Sequence, residues 1–306
     1  MAFTRSKYGI ANYAAFNRAR VTIYIEGKRK KNEGESPRSI TYDEAYYRAL
    51  FLLVLPEIPV TFVVLGSKAD VLAHSDKIES EDIRNAVTII DLDTDFLKNN
   101  PTPPRSLTTY GYSWENDFWT KETCAQAFKA LAPTAAEPQR FTGYLADFID
   151  ACSHALAKLS KVDVLSKIHG EAYLPGDKPG IEFKAGRKSG ISSNSLKLNR
   201  KRIPLAIGHS ANCDQCRLTL ATVRRAPFIK VVQGHRWEHF CLHKMAALLK
   251  SATNETHNHS SIKAAALTSF SAKTAELIDS NALRHYQQAI PDAVDFSLSG
   301  TTRTVR

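Results

Sequence analysis

Within the first 120 residues, short runs of β-branched and aliphatic residues alternate with segments of helical spacing, and this alternation limits the possible folds more than any other feature. "VTIYIEG" (Val21 to Gly27) sets Val21, Ile23 and Ile25 on one face and Thr22, Tyr24 and Glu26 on the other. "VTFVVLG" (Val60 to Gly66) and Val87 to Ile90 are apolar strands, and "SLTTYGYSW" (Ser106 to Trp114) predicts a fourth. Between the first two lies "TYDEAYYRALFLLVL", in which Tyr46, Leu50, Leu53 and Val54 make one helical stripe and Thr41 or Asp43 supplies a cap. "ESEDIRNA" predicts an acidic, helix-forming connector before the third strand. Strands joined through helices build βαβ units and a mainly parallel sheet, and strands covered by helices on both faces are apolar on both. The predicted fold class is α/β.

From about Thr120 the character changes. "KETCAQAFKALA", "QRFTGYLADFIDACSHALAKLSKV" and "GHRWEHFCLHKMAALLKSA" have amphipathic helical spacing, and "SSIKAAALTSFSAKTAELIDSNALRHYQQA" predicts one or two helices more. The tail "SLSGTTRTVR" predicts loose chain. There is no internal repeat. The chain therefore divides into an α/β domain over 1–130 and a mostly helical region over 131–306, with a basic segment around 183–202. The boundary is a shift of composition and not a linker.

The bulk of the sequence restricts partners more than chemistry. With 306 residues, 43% of them hydrophobic and 24% charged, the chain can bury a sizeable core. Its 41 Lys and Arg against 31 Asp and Glu leave a net charge of +10, which favours a polyanionic partner, nucleic acid ahead of an anionic membrane surface. "MAFTRSKYGIANYAAFNRAR" lacks the apolar segment of a secretory signal, and Pro56, Glu57 and Pro59 interrupt the most apolar stretch, so no helix crosses a bilayer there. Five scattered cysteines do not make a disulfide framework. These features predict a soluble cytoplasmic protein.

One strand ends in charge. "VTIIDLDTDF" runs from Val87 into Asp91, Asp93 and Asp95, while Glu26 closes the first strand. Ligand sites of parallel sheets gather beyond the carboxyl ends of the strands, so Glu26, Asp91 and Asp93 are expected to meet at one edge. Carboxylates held together repel unless a cation neutralises them, and hard oxygen donors suit Mg²⁺ or Mn²⁺, which can also stabilise charge on a phosphate during its cleavage.

Glu26-Gly27 closing a first strand and Asp91-x-Asp93 closing a later one resemble the Toprim domain of topoisomerases, primases and the overcoming-lysogenization-defect (OLD) nucleases. More narrowly, "YDEAYYRALF" resembles the first-helix motif of the OLD-like branch, placing Asp43 on its aspartate. "LGSKADVL" resembles its Gly-Gly-Lys turn through Gly66 and Lys68, and "TTYGYSWEND" its Glu-Asn segment through Glu115 and Asn116. These motifs span residues 20 to 120. Two departures stand out: Ser67 replaces the second glycine of the turn, and Asp43 is reached only across the insertion "KRKKNEGESPRS", with Glu44 beside it as an equal alternative.

The resemblance implies metal-assisted phosphodiester cleavage. Asp91 and Asp93 would hold the metal, with Asp95 in reserve and Asp43 as a further ligand. Glu26 would act as general acid/base or share the metal, Glu115 would complete the shell, and Lys68 would neutralise a phosphate oxygen. Chain size and carboxylate placement are most similar to the effectors of the PARIS anti-phage systems. That likeness implies a partner ABC-type ATPase, AriA, which holds the nuclease until a phage anti-restriction protein triggers release. It also implies a homodimer that cuts tRNA. The alternatives are a DNA-nicking Toprim nuclease and a binding subunit whose site is inactive.

Two further clusters invite function. Cys213-x-x-Cys216, with His239 and Cys241 (or His243) downstream, has the residue types of a zinc site, although His235, His239 and His243 also recur as one helical face. Lys28, Arg29 and Lys30 leave the first strand directly after Glu26. Arg187, Lys188, Arg200, Lys201 and Arg202 lie in the basic segment. Both groups are candidate nucleic-acid contacts. Trp114 and Trp119 predict core packing, and Cys124 and Cys152 need no role beyond it.

Overall fold

The computed structural model describes residues 6–27, 40–97, 101–168 and 214–299. Four strands form one sheet: β1 (Val21–Glu26), β2 (Val60–Leu65), β3 (Ala86–Ile90) and β4 (Ser106–Thr108). Their order is β2-β1-β3-β4 and every neighbouring pair is parallel. The fold is of the expected α/β class: a Toprim-like parallel sheet flanked by helices, followed by a largely helical C-terminal region.

By compactness the chain divides into two units that interleave along the sequence. One comprises Met1–Leu92, Asn100–Tyr110 and Phe270–Arg306, the other Asp93–Asn99 and Gly111–Ser269. The sequence suggested a single change of character near residue 130. The difference comes from the last helix, Ser280–Ser299, which belongs with the sheet. The Ser297 hydroxyl donates to the Ala86 carbonyl at 3.1 Å, the Asn85 N–H donates to the Ser297 carbonyl at 3.2 Å, and His285 Nε2 bonds the Thr108 carbonyl at 2.8 Å. Ser297 is fully buried, so the part of the predicted loose tail up to Ser299 is docked helix.

In the sheet unit, β1 is buried from Val21 to Ile25 because β2 and β3 flank it and helices cover its faces. The polar residues of β3 and β4 are satisfied internally: Thr88 Oγ1 lies 2.6 Å from Ser106 Oγ, which lies 2.8 Å from Ser75 Oγ. The helix Tyr42–Val54 is capped by Thr41, whose hydroxyl accepts from the Glu44 N–H at 3.2 Å; Asp43 sits inside the first turn and is not the cap. Its buried face is Tyr46, Tyr47, Leu50 and Phe51, and Leu53, placed on that stripe from spacing, is 38% exposed.

Two local expectations are corrected. β4 stops at Thr108, because the Gly111 N–H is taken by Asp117 Oδ1 at 2.8 Å and Ser113 caps a helix Trp114–Phe118 in a reciprocal box with Asn116. The residues "YGYSW" are therefore turn and helix start. Lys68–Ser80 is a full helix where the sequence suggested only a turn at Lys68 and a later connector. Its apolar stripe is sparse, with Val71 and Ile78 as its buried hydrophobics, so periodicity hides it. The Ser67–Asp70 capping box right after an apolar strand was the readable signal.

The second unit packs helices Lys121–Leu131, Pro138–Ile168, Gly234–Thr253 and the start of His259–Ala272 around Phe118, Trp119, Phe128, Trp237 and Phe240. Trp114 and Trp119 are buried as expected, and Trp237 Nε1 donates to the Trp119 carbonyl at 3.0 Å. Among the described residues no helix is long and apolar enough to cross a membrane.

Candidate active site

All four strands run the same way, so their carboxyl ends share one edge. Glu26 is the last residue of β1 and pairs across to Leu65, while Ile25 pairs with Ile89, so Asp91 begins where β3 ends beside it. Glu26, Asp91, Asp43 and Lys68 all belong to the sheet unit. Gly27 follows Glu26 with φ 157°, and a side chain there would meet Asp43 Oδ2 at 3.1 Å and Val64 Cγ1 at 2.9 Å. A Cβ there would press on Val64 and crowd the Asp43 carboxylate, so glycine gives that carboxylate room at the end of β1. Glu44, the alternative, is engaged elsewhere: it is buried and accepts from Arg48 Nε at 3.0 Å and Nη2 at 2.7 Å. The geometry thus favours Asp43 over Glu44 as the carboxylate beside Glu26.

Lys68 opens its helix directly after the cap Ser67, and its ammonium donates to the Asp91 carbonyl at 2.5 Å. The Leu92 N–H donates to Thr109 Oγ1 at 2.9 Å, which fixes the chain leaving β3 against the chain leaving β4. Lys68 therefore puts a cation at the strand end that carries Asp91.

Asp93, Asp95 and Glu115 belong to the second unit. Asp93 has φ 47°, a left-handed conformation that Asp tolerates better than most residues, and its N–H donates to the Tyr112 carbonyl at 2.8 Å. The Tyr112 phenol is pushed well above its usual range by burial, and next by the charge of Asp93. Asp95 starts a 3₁₀ turn, Asp95–Leu97.

Glu115 sits in the helix Trp114–Phe118 and accepts from the Ser113 hydroxyl at 2.6 Å. A side chain at Gly234 would stand 1.8 Å from Ser113 Oγ and 2.7 Å from Glu115 Oε2. Gly234 is the first residue of the 20-residue helix Gly234–Thr253, so its missing side chain seats the carboxyl group at that helix's start. Burial raises the Glu115 carboxyl to about 7, followed by the nearby charge of Glu238. Glu238 is in turn held by Lys263 at 2.5 Å and by Trp119 Nε1 at 3.2 Å. A carboxyl group titrating near neutrality can hold or release a proton at physiological pH. The sequence motif located Glu115, but nothing in it announced Glu238, Lys263 or Gly234 as its surroundings.

Glu26, Asp43 and Asp91 are hard oxygen donors, and the space left by Gly27 brings two of them to one strand end, so the donor set fits Mg²⁺ or Mn²⁺. Among the described residues no three His, Cys, Asp or Glu side chains already stand as a metal-holding group. Side-chain rotation would have to gather the carboxylates.

Of the zinc candidates, His239, Cys241 and His243 have described side chains. His239 and Cys241 lie two positions apart on one helix: His239 is half-buried and packs its ring on His243, whereas Cys241 is fully buried beside Cys124 and Cys152. Burial first, and then a hydrogen bond with Cys124, holds the Cys241 thiol well above its usual range; burial pushes Cys152 up to about 12. Both are inert packing thiols. Cys213 and the Cys216 side chain lie outside the described residues, as do Lys28, Arg29, Lys30, Arg187, Lys188, Arg200, Lys201 and Arg202.

No family model matches the chain, and no curated protein matches it.

Proposed function

We propose that the chain is a divalent-metal-dependent Toprim endoribonuclease of the OLD-like branch, of the kind represented by AriB, the toxic effector of the PARIS anti-phage system. In this reading it acts in the cytoplasm and is held in check by the ABC-type ATPase AriA. Once freed, it cuts host tRNA as a dimer and stops translation. The observation that carries the nuclease class is the placing of Glu26, Asp43 and Asp91 around one edge of a parallel sheet, with the Lys68 ammonium on the Asp91 carbonyl. The tRNA substrate and the ATPase rest on the resemblance of the motifs and on the +10 net charge.

Asp91 and Asp43 would hold the ion. When bound, Mg²⁺ or Mn²⁺ supplies charge neutralisation at the scissile phosphate. Glu26, at the end of β1, takes the proton of the attacking hydroxyl or water; the P–O bond to the leaving oxygen breaks and that oxygen takes a proton from solvent. Lys68 orients the strand end and offers its positive charge to a phosphate oxygen.

The test is induced expression of wild type beside Glu26→Gln and Asp91→Asn, each with and without the ATPase, followed by small-RNA and plasmid gels. Shortened tRNA from wild type alone, with both variants folded by circular dichroism, supports the proposal. Nicked plasmid with intact tRNA points to the DNA-cutting relative instead, and no cleavage of either to an inactive site. Full activity in either variant, or in excess EDTA, overturns the assignment.

A further inference from the structure

Three imidazoles meet on the surface of the second unit, and none of them figures in the proposed reaction. His239 and His243 stand one turn apart on the helix Gly234–Thr253. Asn254 ends that helix in a left-handed conformation, φ 59°, and the chain doubles back so that His259 opens the next helix against them. The ring centroids of His239 and His243 are 4.1 Å apart, those of His243 and His259 4.5 Å, and those of His239 and His259 6.3 Å. The neighbouring carboxylate, Glu238, is held by Lys263 and Trp119.

The His243 ring is exposed and packs against both of the other two. We infer that His239, His243 and His259 form a binding site for a late first-row divalent metal ion, Zn²⁺ foremost. A metal–nitrogen bond of about 2.0–2.1 Å places each ring centroid roughly 3 Å from the ion, and two tetrahedral ligands then have centroids about 5 Å apart. The observed separations lie on both sides of that value. The rings do not yet stand as a metal-holding group. His243 is exposed and the other two are half-buried, and closing the site requires these side chains to rotate. Imidazole nitrogens select Zn²⁺, Co²⁺, Ni²⁺ or Cu²⁺, whereas Mg²⁺ prefers oxygen. The site is distinct in donor chemistry from the carboxylates of the sheet, and differs from the cysteine-based set in using neither Cys213, Cys216 nor Cys241.

The experiment uses the full chain, stripped with EDTA and returned to excess Mg²⁺, with Co²⁺ followed by visible absorption and Zn²⁺ by calorimetry. One equivalent is expected to bind, at least about tenfold more weakly in His243→Ala and in His259→Ala, since each loses a ligand. Binding is expected to persist in the Cys213→Ser/Cys216→Ser double variant and in Glu26→Gln, which separates this site from the nuclease reading. Absence of binding by wild type, wild-type affinity in both histidine variants, or loss of binding in the cysteine variant each overturns the inference.

Discussion

Asp43 and Glu44 sit side by side in the first turn of one helix, and the backbone sends them in different directions. Glu44 is committed to Arg48, while Asp43 reaches the space that Gly27 leaves open beside Glu26. Asp43→Asn should therefore abolish metal-dependent cleavage in the tRNA gel. Glu44→Gln should keep that activity and lower stability by less than about 1 kcal/mol, the usual scale of a partly exposed helix pair, as read from urea unfolding. Glu115 makes a pH prediction. Its carboxyl is raised from 4.5 to about 7, first by burial and then by Glu238, so the folded chain holds a proton that the unfolded chain has already released. Stability then falls as pH rises from about 4.5 through about 7, and the cost is fully present above that window. Glu115→Gln keeps an acceptor for the Ser113 hydroxyl and removes the charge. It should be more stable than wild type by on the order of 2 kcal/mol at pH 8, with the gap closing below about pH 4.5. A gap that does not change with pH would count against the buried-acid account.

At the scale of elements, the strands were legible because each carries a run of β-branched residues, and β1 to β3 formed within a residue or so of where those runs lie. Elements held by few apolar contacts were not. The helix Lys68–Ser80 lacks a strong stripe, and β4 is short because Gly111 and Ser113 turn the chain into a helix. Glu26 and Asp91 could be located from strand-end logic alone, whereas Gly234 under Glu115 is a close approach across more than a hundred residues, which spacing cannot express. Gly234→Ala would force its new methyl against Ser113 and Glu115 and should destabilise the chain by about 2 kcal/mol or more in chemical unfolding. Arg105 plays a comparable part at the start of β4: it is 4% exposed, pairs with Glu79 at 3.0 Å and with Asp82, and lies under the Phe296 ring at 5.2 Å. It ties the strand to two helices at once. Arg105→Ala should cost about 2–3 kcal/mol, toward the low end because Asp82 is exposed, and a thermal melt reads it directly.

At the scale of the whole molecule, a composition shift near residue 130 told where helices begin to dominate but not which of them return to the sheet. That return depends on Ser297 and His285 finding carbonyls at Ala86 and Thr108, and single hydrogen bonds leave no trace in hydropathy. Net charge is different, because it is a sum and needs no structure. The +10 surplus predicts that binding to an RNA is driven by release of counterions, with an affinity that falls linearly in log–log form as salt rises. Arg187, Lys188, Arg200, Lys201 and Arg202 contribute five of those cations within one segment of sixteen residues. If all five meet phosphates, changing them together to Gln should flatten the salt slope for a tRNA by up to about 3.5, at roughly 0.7 per phosphate on a single strand. Overall affinity at low salt should fall with it. Circular dichroism beside wild type checks that the variant is folded. A titration by fluorescence anisotropy over a range of salt concentrations measures the slope. An unchanged slope would assign phosphate contact to other cations of the chain, with Lys28, Arg29 and Lys30 next to Glu26 the first to be changed in turn.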